Sequence, residues 1–255
     1  MGWGDELMVT GQARVMQQKD PRRVVVIDRN GRPRTHTIWM NNPRIWNGEG
    51  GEPKPGFQQL ENGPGMRPYI DDKTETKWTW KNFDPPVGEI YLSRFERQVA
   101  ELFGPIGVVL EPNIKPKASP NKDWGRNRWA RLAELLYRDG IEYVQLGPPT
   151  TETLKGARLI RTDSFRAACA VLARAKAAVL PEGGLHHAAA ALNVKSVVIF
   201  GGFISPRQTG YRTQTNLFTG GEPCGMRAAM CDHCVRAMNQ ITPELVFAEL
   251  KKLIA

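Results

Sequence analysis

Apolar and polar positions are most regularly ordered in residues 177–200, AAVLPEGGLHHAAAALNVKSVVIF. A short apolar run, a Glu-Gly-Gly turn, an alanine-rich segment and a β-branched run predict one strand–helix–strand unit. The same texture reaches back to Gly107. Residues 107–110 predict a buried strand, 127–138 an amphipathic helix, 143–146 and 157–160 further strands, and 165–176 a helix. Thr242-Pro243-Glu244 opens a last helix through Leu253, with Thr242 as N-cap and Pro243 in the first helical position. Strands and helices in alternation imply a parallel, Rossmann-like sheet.

The first hundred residues are less regular. Residues 6–18 read as a helix, 23–27 as a strand, 89–92 as a strand and 93–102 as a helix leading to a Phe103-Gly104-Pro105 hinge. Residues 41–68, rich in Gly, Pro and Asn, read as a long irregular excursion. Gly2-Trp3-Gly4-Asp5 looks like a glycine-rich strand-to-helix turn, although no strand precedes it. The chain shows no internal repeat and no low-complexity tail. The change of texture divides it into residues 1–106 and 107–255.

Composition narrows the class. A chain of 255 residues with 41% hydrophobic content can pack a core. Its mean hydropathy of -0.42 argues against membrane spans, and no apolar run is long enough to cross a bilayer. The opening residues lack the basic-then-apolar pattern of a signal peptide, so a cytoplasmic location is expected. A net charge of +9 suggests an anionic partner such as a nucleotide, a nucleic acid or a lipopolysaccharide surface.

Candidate chemistry gathers at a few points. A helix beginning after Gly183-Gly184 presents free backbone N–H groups and the positive end of its dipole, a natural seat for a phosphate. Glu182, His186 and His187 flank that seat. The competing reading gives Gly183 and Gly184 a turn-forming role only. Cys224, Cys231 and Cys234 form C-x6-C-x2-C with His233 beside them, a set that suits a structural zinc or iron ion. Cys169 reads as a core residue, and a cytosolic chain argues against disulfides. Trp39, Trp46, Trp78 and Trp80 lie among Arg32, Arg34, Arg44, Lys77 and Lys81. Such interleaving suits a nucleic-acid strand with an unstacked base, or else the tryptophans pack a small domain.

Several motifs in order resemble those of glycosyltransferase family nine, the heptosyltransferases. They are Lys122-Asp123-Trp124, a strand ending in Leu146-Gly147, Glu182-Gly183-Gly184-Leu185-His186-His187, Phe200-Gly201, Pro206 and Thr209-Gly210, with Gly4-Asp5-Glu6-Leu7 at the start. The resemblance implies an α/β fold of the GT-B type, with two Rossmann-like lobes facing a cleft. Residues 1–106 would form a reduced, irregular acceptor-side lobe, and residues 107–255 the nucleotide-sugar lobe. It also implies an inverting transfer from a nucleotide-diphosphate sugar without a catalytic metal. The family's Asp is Glu182 here and its hydroxyl residue is Gly183, so one phosphate-facing donor is missing.

Asp5 is the expected general base, since a positioned carboxylate can take the proton of an acceptor hydroxyl. A helix cap is its ordinary alternative. Lys122, with Lys115 as a second candidate, would steady the leaving diphosphate; His187 would donate to a phosphate oxygen, and Glu182 would hold a sugar hydroxyl or pair with a cation. Thr209 and Gly210 fall in the expected donor loop. The acceptor is expected to be anionic: DNA carrying hydroxymethylated pyrimidines is favoured slightly over a lipopolysaccharide core. A non-catalytic module that binds nucleotide or nucleic acid is the reading from another class. Oligomeric state stays open.

Overall fold

The computed structural model describes residues 2–63, 66–115, 118–147 and 151–255. Pro64 and Gly65, within the expected irregular excursion, lie outside them. The chain opens with helix α1 (Trp3–Lys19), followed by β1 (Val24–Ile27), β2 (Ile45–Trp46) and β3 (Gln58–Glu61). These strands form a small parallel sheet in the order β2-β1-β3. The stretch 41–68 is therefore not wholly irregular, since it supplies both partners of β1. An antiparallel hairpin follows, β4 (Ile70–Lys73) and β5 (Trp78–Trp80), then helix α2 (Arg94–Glu101). A serine N-cap and a reciprocal Glu96 bond start α2.

Buried residues in α1 run without a break from Gly4 to Gly11, so the helix has no solvent stripe over that length. Part of its cover is the extended segment over residues 86–92. Gly11 faces the Pro86 carbonyl and Gly88 faces the Leu7 carbonyl, each so closely that a side chain would collide. Glu89 N–H donates to Thr10 Oγ1 at 2.6 Å, and Arg14 donates to the Val87 carbonyl at 2.9 Å. The strand expected over 89–92 is absent. Its extended backbone bonds to a helix side chain instead of joining a ladder.

The second part runs β6 (Ile106–Leu110), α3 (Arg126–Arg138), β7 (Tyr143–Gly147), β8 (Arg158–Arg161), α4 (Phe165–Leu172) and β9 (Ala175–Pro181). It continues α5 (Gly184–Ala191), β10 (Ser196–Gly201), α6 (Pro206–Thr209), β11 (Thr215–Phe218), α7 (Asp232–Gln240) and α8 (Pro243–Ile254). The helix expected over 165–176 stops at Leu172, because Ala175 is taken into the ladder opposite Ile106. All six strands are parallel, in the order β11-β10-β9-β6-β7-β8. This is the doubly wound order, with its switch point between β6 and β9.

Alternation along the central strands divides the core. Val109, Ala178 and Leu180 face one layer, while Val108, Leu110, Ala177 and Val179 face the other. The second layer is built on Trp124, Trp129, Leu132 and Leu250. The first contains α4 and α5 residues together with Leu7, Val9, Val24, Ile38 and Trp39. The small sheet and α1 thus share one continuous core with the large sheet.

Candidate donor and transfer site

Two carboxylates stand just beyond the switch-point strands, Glu111 after β6 and Glu182 after β9. Open α/β sheets bind ligands in that crevice. Burial raises the Glu111 carboxyl to about 7, against two bonds from Asn113 that favour its ionised form. Glu182 is held lower. Burial opposes its ionisation, but the charge of Lys122 and the hydrogen bonds of Lys122 and Thr209 outweigh it. Its Oε2 pairs with Lys122 Nζ, and its Oε1 accepts from Thr209 Oγ1 at 3.2 Å. Of the two roles expected for Glu182, the structure shows the cation pair.

The turn into α5 uses its polar groups internally. Gly183 N–H donates to His186 Nδ1 at 2.9 Å, which leaves the His186 Nε2 proton for the Thr209 carbonyl at 2.8 Å. Burial keeps His186 neutral despite Glu182, and it lowers His187 further, helped by the charge of Lys122. His187 Nδ1 bonds to the Tyr211 hydroxyl at 2.8 Å, and Gln214 donates to the His186 carbonyl at 2.7 Å. Glu182, His186 and His187 lie close enough to suggest a metal set, but hydrogen bonds occupy both nitrogens of His186.

Each glycine has its own reason. Gly183 has open space where a side chain would stand, which suits an approaching ligand. A side chain on Gly184 would meet Trp3 and Phe165, so its role includes letting α1 and α4 close on α5. Gly210 serves packing, because a side chain there would strike Pro206. Thr209 is buried and supports Glu182 and His186. Lys115 is exposed and outside this network.

The start of α1 arrives at the same place. Trp3 stacks on Phe165 with centroids 4.7 Å apart, and the bare Cα of Gly4 abuts the His187 ring. Asp5 lies inside the first turn of α1, with Gly2 as N-cap, and not on a turn ahead of a helix starting at Glu6. Its carboxylate does have the capping role, accepting the Gly2 N–H at 2.8 Å. It also accepts the Tyr69 hydroxyl at 2.5 Å and faces Arg67 Nε at 2.9 Å. Burial keeps the Tyr69 hydroxyl protonated, with the Asp5 charge acting in the same direction. Tyr69, Arg67 and Glu111 escaped sequence reading; of these only Glu111, a carboxylate after the first strand of a Rossmann-like unit, carried a usable signal.

The cysteine cluster runs from the loop after β11 into the first turn of α7. Cys224 Sγ is 3.2 Å from Cys234 Sγ and 3.7 Å from Cys231 Sγ, and His233 Nδ1 is 3.8 Å from Cys234 Sγ. Tetrahedral thiolates about 2.3 Å from a metal stand roughly 3.7 Å apart, which the Cys224–Cys231 pair matches and the Cys224–Cys234 pair undercuts. His233 Nε2 bonds to the Gly220 carbonyl at 2.6 Å, leaving Nδ1 for the thiols in the manner of an oriented metal ligand. The adjacent His233 and Cys234 are both part of the set. Cys169 is fully buried, as expected of a core residue.

The family model of glycosyltransferase family 9 (heptosyltransferase) matches residues 92–232, more than half of the chain. The chain belongs to glycosyltransferase family 9. No curated protein matches it. Among solved structures it is similar to a family 9 glycosyl transferase from Veillonella parvula, at 17% identity and TM-score 0.66, over 100% of this chain and 95% of that one. It is also similar to the iron-containing dodecameric glycosyltransferase TibC of enterotoxigenic E. coli, at 14% identity and TM-score 0.65, over 99% and 74%. The E. coli ADP-heptose lipopolysaccharide heptosyltransferase II matches at 22% identity and TM-score 0.50, over 66% of this chain and 53% of that one. The chain spans about half the length of that heptosyltransferase. The mixed α/β architecture is thus GT-B-like, of the heptosyltransferase type.

Proposed function

We propose that this family 9 chain transfers a sugar from a nucleotide diphosphate to a hydroxyl of an anionic saccharide. The observation that carries the reading is the meeting of Asp5, on the first turn of α1, with the Gly183 turn and the Lys122–Glu182 pair at the switch point. Residues 107–255 would hold the donor and residues 1–106 the acceptor side. An ADP-sugar is the donor class suggested by the E. coli heptosyltransferase.

In this reading Asp5 accepts the proton of the acceptor hydroxyl. The hydroxyl oxygen bonds to the anomeric carbon while the bond from that carbon to the diphosphate oxygen breaks. The nucleoside diphosphate leaves with the electron pair, and one displacement inverts the anomeric centre without a catalytic metal. Lys122 and the start of α5 take up the charge that develops on the diphosphate. In this reading the buried His187 holds the α1–α5 junction, against Gly4 and Tyr211, rather than donating to a phosphate.

A saccharide is preferred to DNA because the tryptophans do not form an open stacking surface. Trp39 and Trp46 are buried, while Trp78 and Trp80 pack against Phe203. We also infer that Cys224, Cys231, Cys234 and His233 hold a structural iron or zinc ion, a reading that the iron of TibC supports.

The test is a mass-spectrometric transfer assay with pooled ADP-, GDP- and UDP-sugars, offered a lipopolysaccharide core or hydroxymethylpyrimidine DNA. A mass gain on the saccharide is expected, falling at least about 100-fold in Asp5→Asn while ADP affinity stays within about twofold. Gain on DNA alone would overturn the acceptor. Full activity in Asp5→Asn would overturn the base, and ADP binding without transfer to any acceptor would favour a non-catalytic module.

A further inference from the structure

Three cations converge on one ring at the edge of the site. Arg67 Cζ lies 5.2 Å from the centre of Trp78, Lys73 Nζ 5.4 Å and Arg227 Cζ 5.7 Å. They come from separate segments: the approach to the β4–β5 hairpin, the end of β4, and the loop that carries the cysteines. Among the described residues, neither Lys73 nor Arg227 has a carboxylate within ion-pair distance. The side-chain hydrogen bond of Arg227 is a long one, 3.5 Å, to the Glu75 carbonyl.

Arg67 is the most informative of the three. Its side chain is only 17% exposed, and its Nε is buried with no acceptor in hydrogen-bond geometry, even though Asp5 Oδ2 lies 2.9 Å away. Its terminal nitrogens donate no hydrogen bond to any described residue. A guanidinium is a rigid fork of five donors matched to the paired oxygens of a phosphate or carboxylate. Here Nε is buried against Asp5, which orients the fork, and the terminal nitrogens are left without a described partner. Like charges gathered in one place repel, and a bound anion relieves that repulsion.

We propose that Arg67, Lys73 and Arg227 form a binding site for an anionic group, a phosphate or carboxylate carried by the acceptor. The attribution to the acceptor rests on the transferase reading above. Arg67 sits on Asp5, the group assigned to the acceptor hydroxyl, whereas the donor seat has its own cation in Lys122. An acceptor bound this way has its charged substituent on the hairpin and its hydroxyl at Asp5, so the site also selects which hydroxyl reacts.

Inorganic pyrophosphate is the probe, titrated calorimetrically into the full chain, alone and after saturation with ADP. One equivalent is expected to bind beside ADP. The double variant Lys73→Gln/Arg227→Gln should weaken that binding at least tenfold and leave ADP affinity within twofold, which also shows that the variant is folded. Pyrophosphate that binds only when ADP is absent would place the anion in the donor seat and overturn the proposal. Equal binding to the double variant would overturn it as well. Pyrophosphate binding that is lost in the double variant, in a chain that binds no ADP, would support this site and overturn the transferase reading instead.

Discussion

A methyl group on Gly4 would lie 2.2 Å from His187 Cδ2. That one distance joins the two motifs that sequence reading kept apart, Gly4-Asp5 and the turn into α5. In an unconstrained helix Gly→Ala stabilises by up to about 1 kcal/mol. Here the ring is buried and bonded to Tyr211, so overpacking by about 1–3 kcal/mol should win. Gly4→Ala is expected to lower the urea midpoint at unchanged m-value; a rise would mean that His187 moves freely. Asp5, Lys122 and Glu182 could be singled out in the sequence because each belongs to a short motif that resembles the family's. Tyr69 and Arg67 were not, because they follow a stretch with neither strand nor helix period, and only folding brings them to Asp5.

Helix α2 shows what an element contributes beyond its own length. Glu96 closes its capping box and, through Arg166, clamps it to α4 with bonds of 2.6 and 2.7 Å. The side-chain bond from Arg166 is the main reason that Glu96 falls from 4.5 to about 2. A carboxyl lowered in the folded state stabilises above its unfolded value and loses that contribution as pH falls through the folded one. The shift corresponds to about 3 kcal/mol, which solvent screening of a partly exposed Glu96 cuts to about 1. Glu96→Gln should therefore lower Tm by a few degrees at pH 7, with the gap closing between pH 4.5 and 2. A gap unchanged at pH 2 would exclude this ion pair as its source. At this scale the βαβ units were legible because periods of 2 and 3.6 differ over a few residues. The segment over 89–92 was misread because an extended apolar run looks the same whether its backbone meets a strand or a helix. The two-residue β2 is too short to show any period.

Across the whole molecule, the loop bearing the cysteines acts as a tie. Trp78 N–H bonds to the Gly225 carbonyl and Arg227 N–H to the Thr76 carbonyl, fastening the hairpin. Asn121, beside Lys122, donates to the Met226 and Ala229 carbonyls and accepts the Cys231 N–H. Metal bound by the thiols would rigidify both partners. Elemental analysis should find about one equivalent of iron or zinc, and chelation should speed hydrogen exchange in residues 70–80 and 119–123 ahead of the central strands. Metal-free protein with slow exchange in both segments would contradict this role. The shared core around α1 also bears on how the chain is made. Trp3 and Gly4 pack against Phe165, Gly184 and His187, far along the chain, so this helix leaves the ribosome well ahead of those partners. At roughly 5–20 residues per second the wait is on the order of ten to forty seconds. Throughout it, a helix whose first half is destined for burial on every side stands open to chaperones and to other nascent chains.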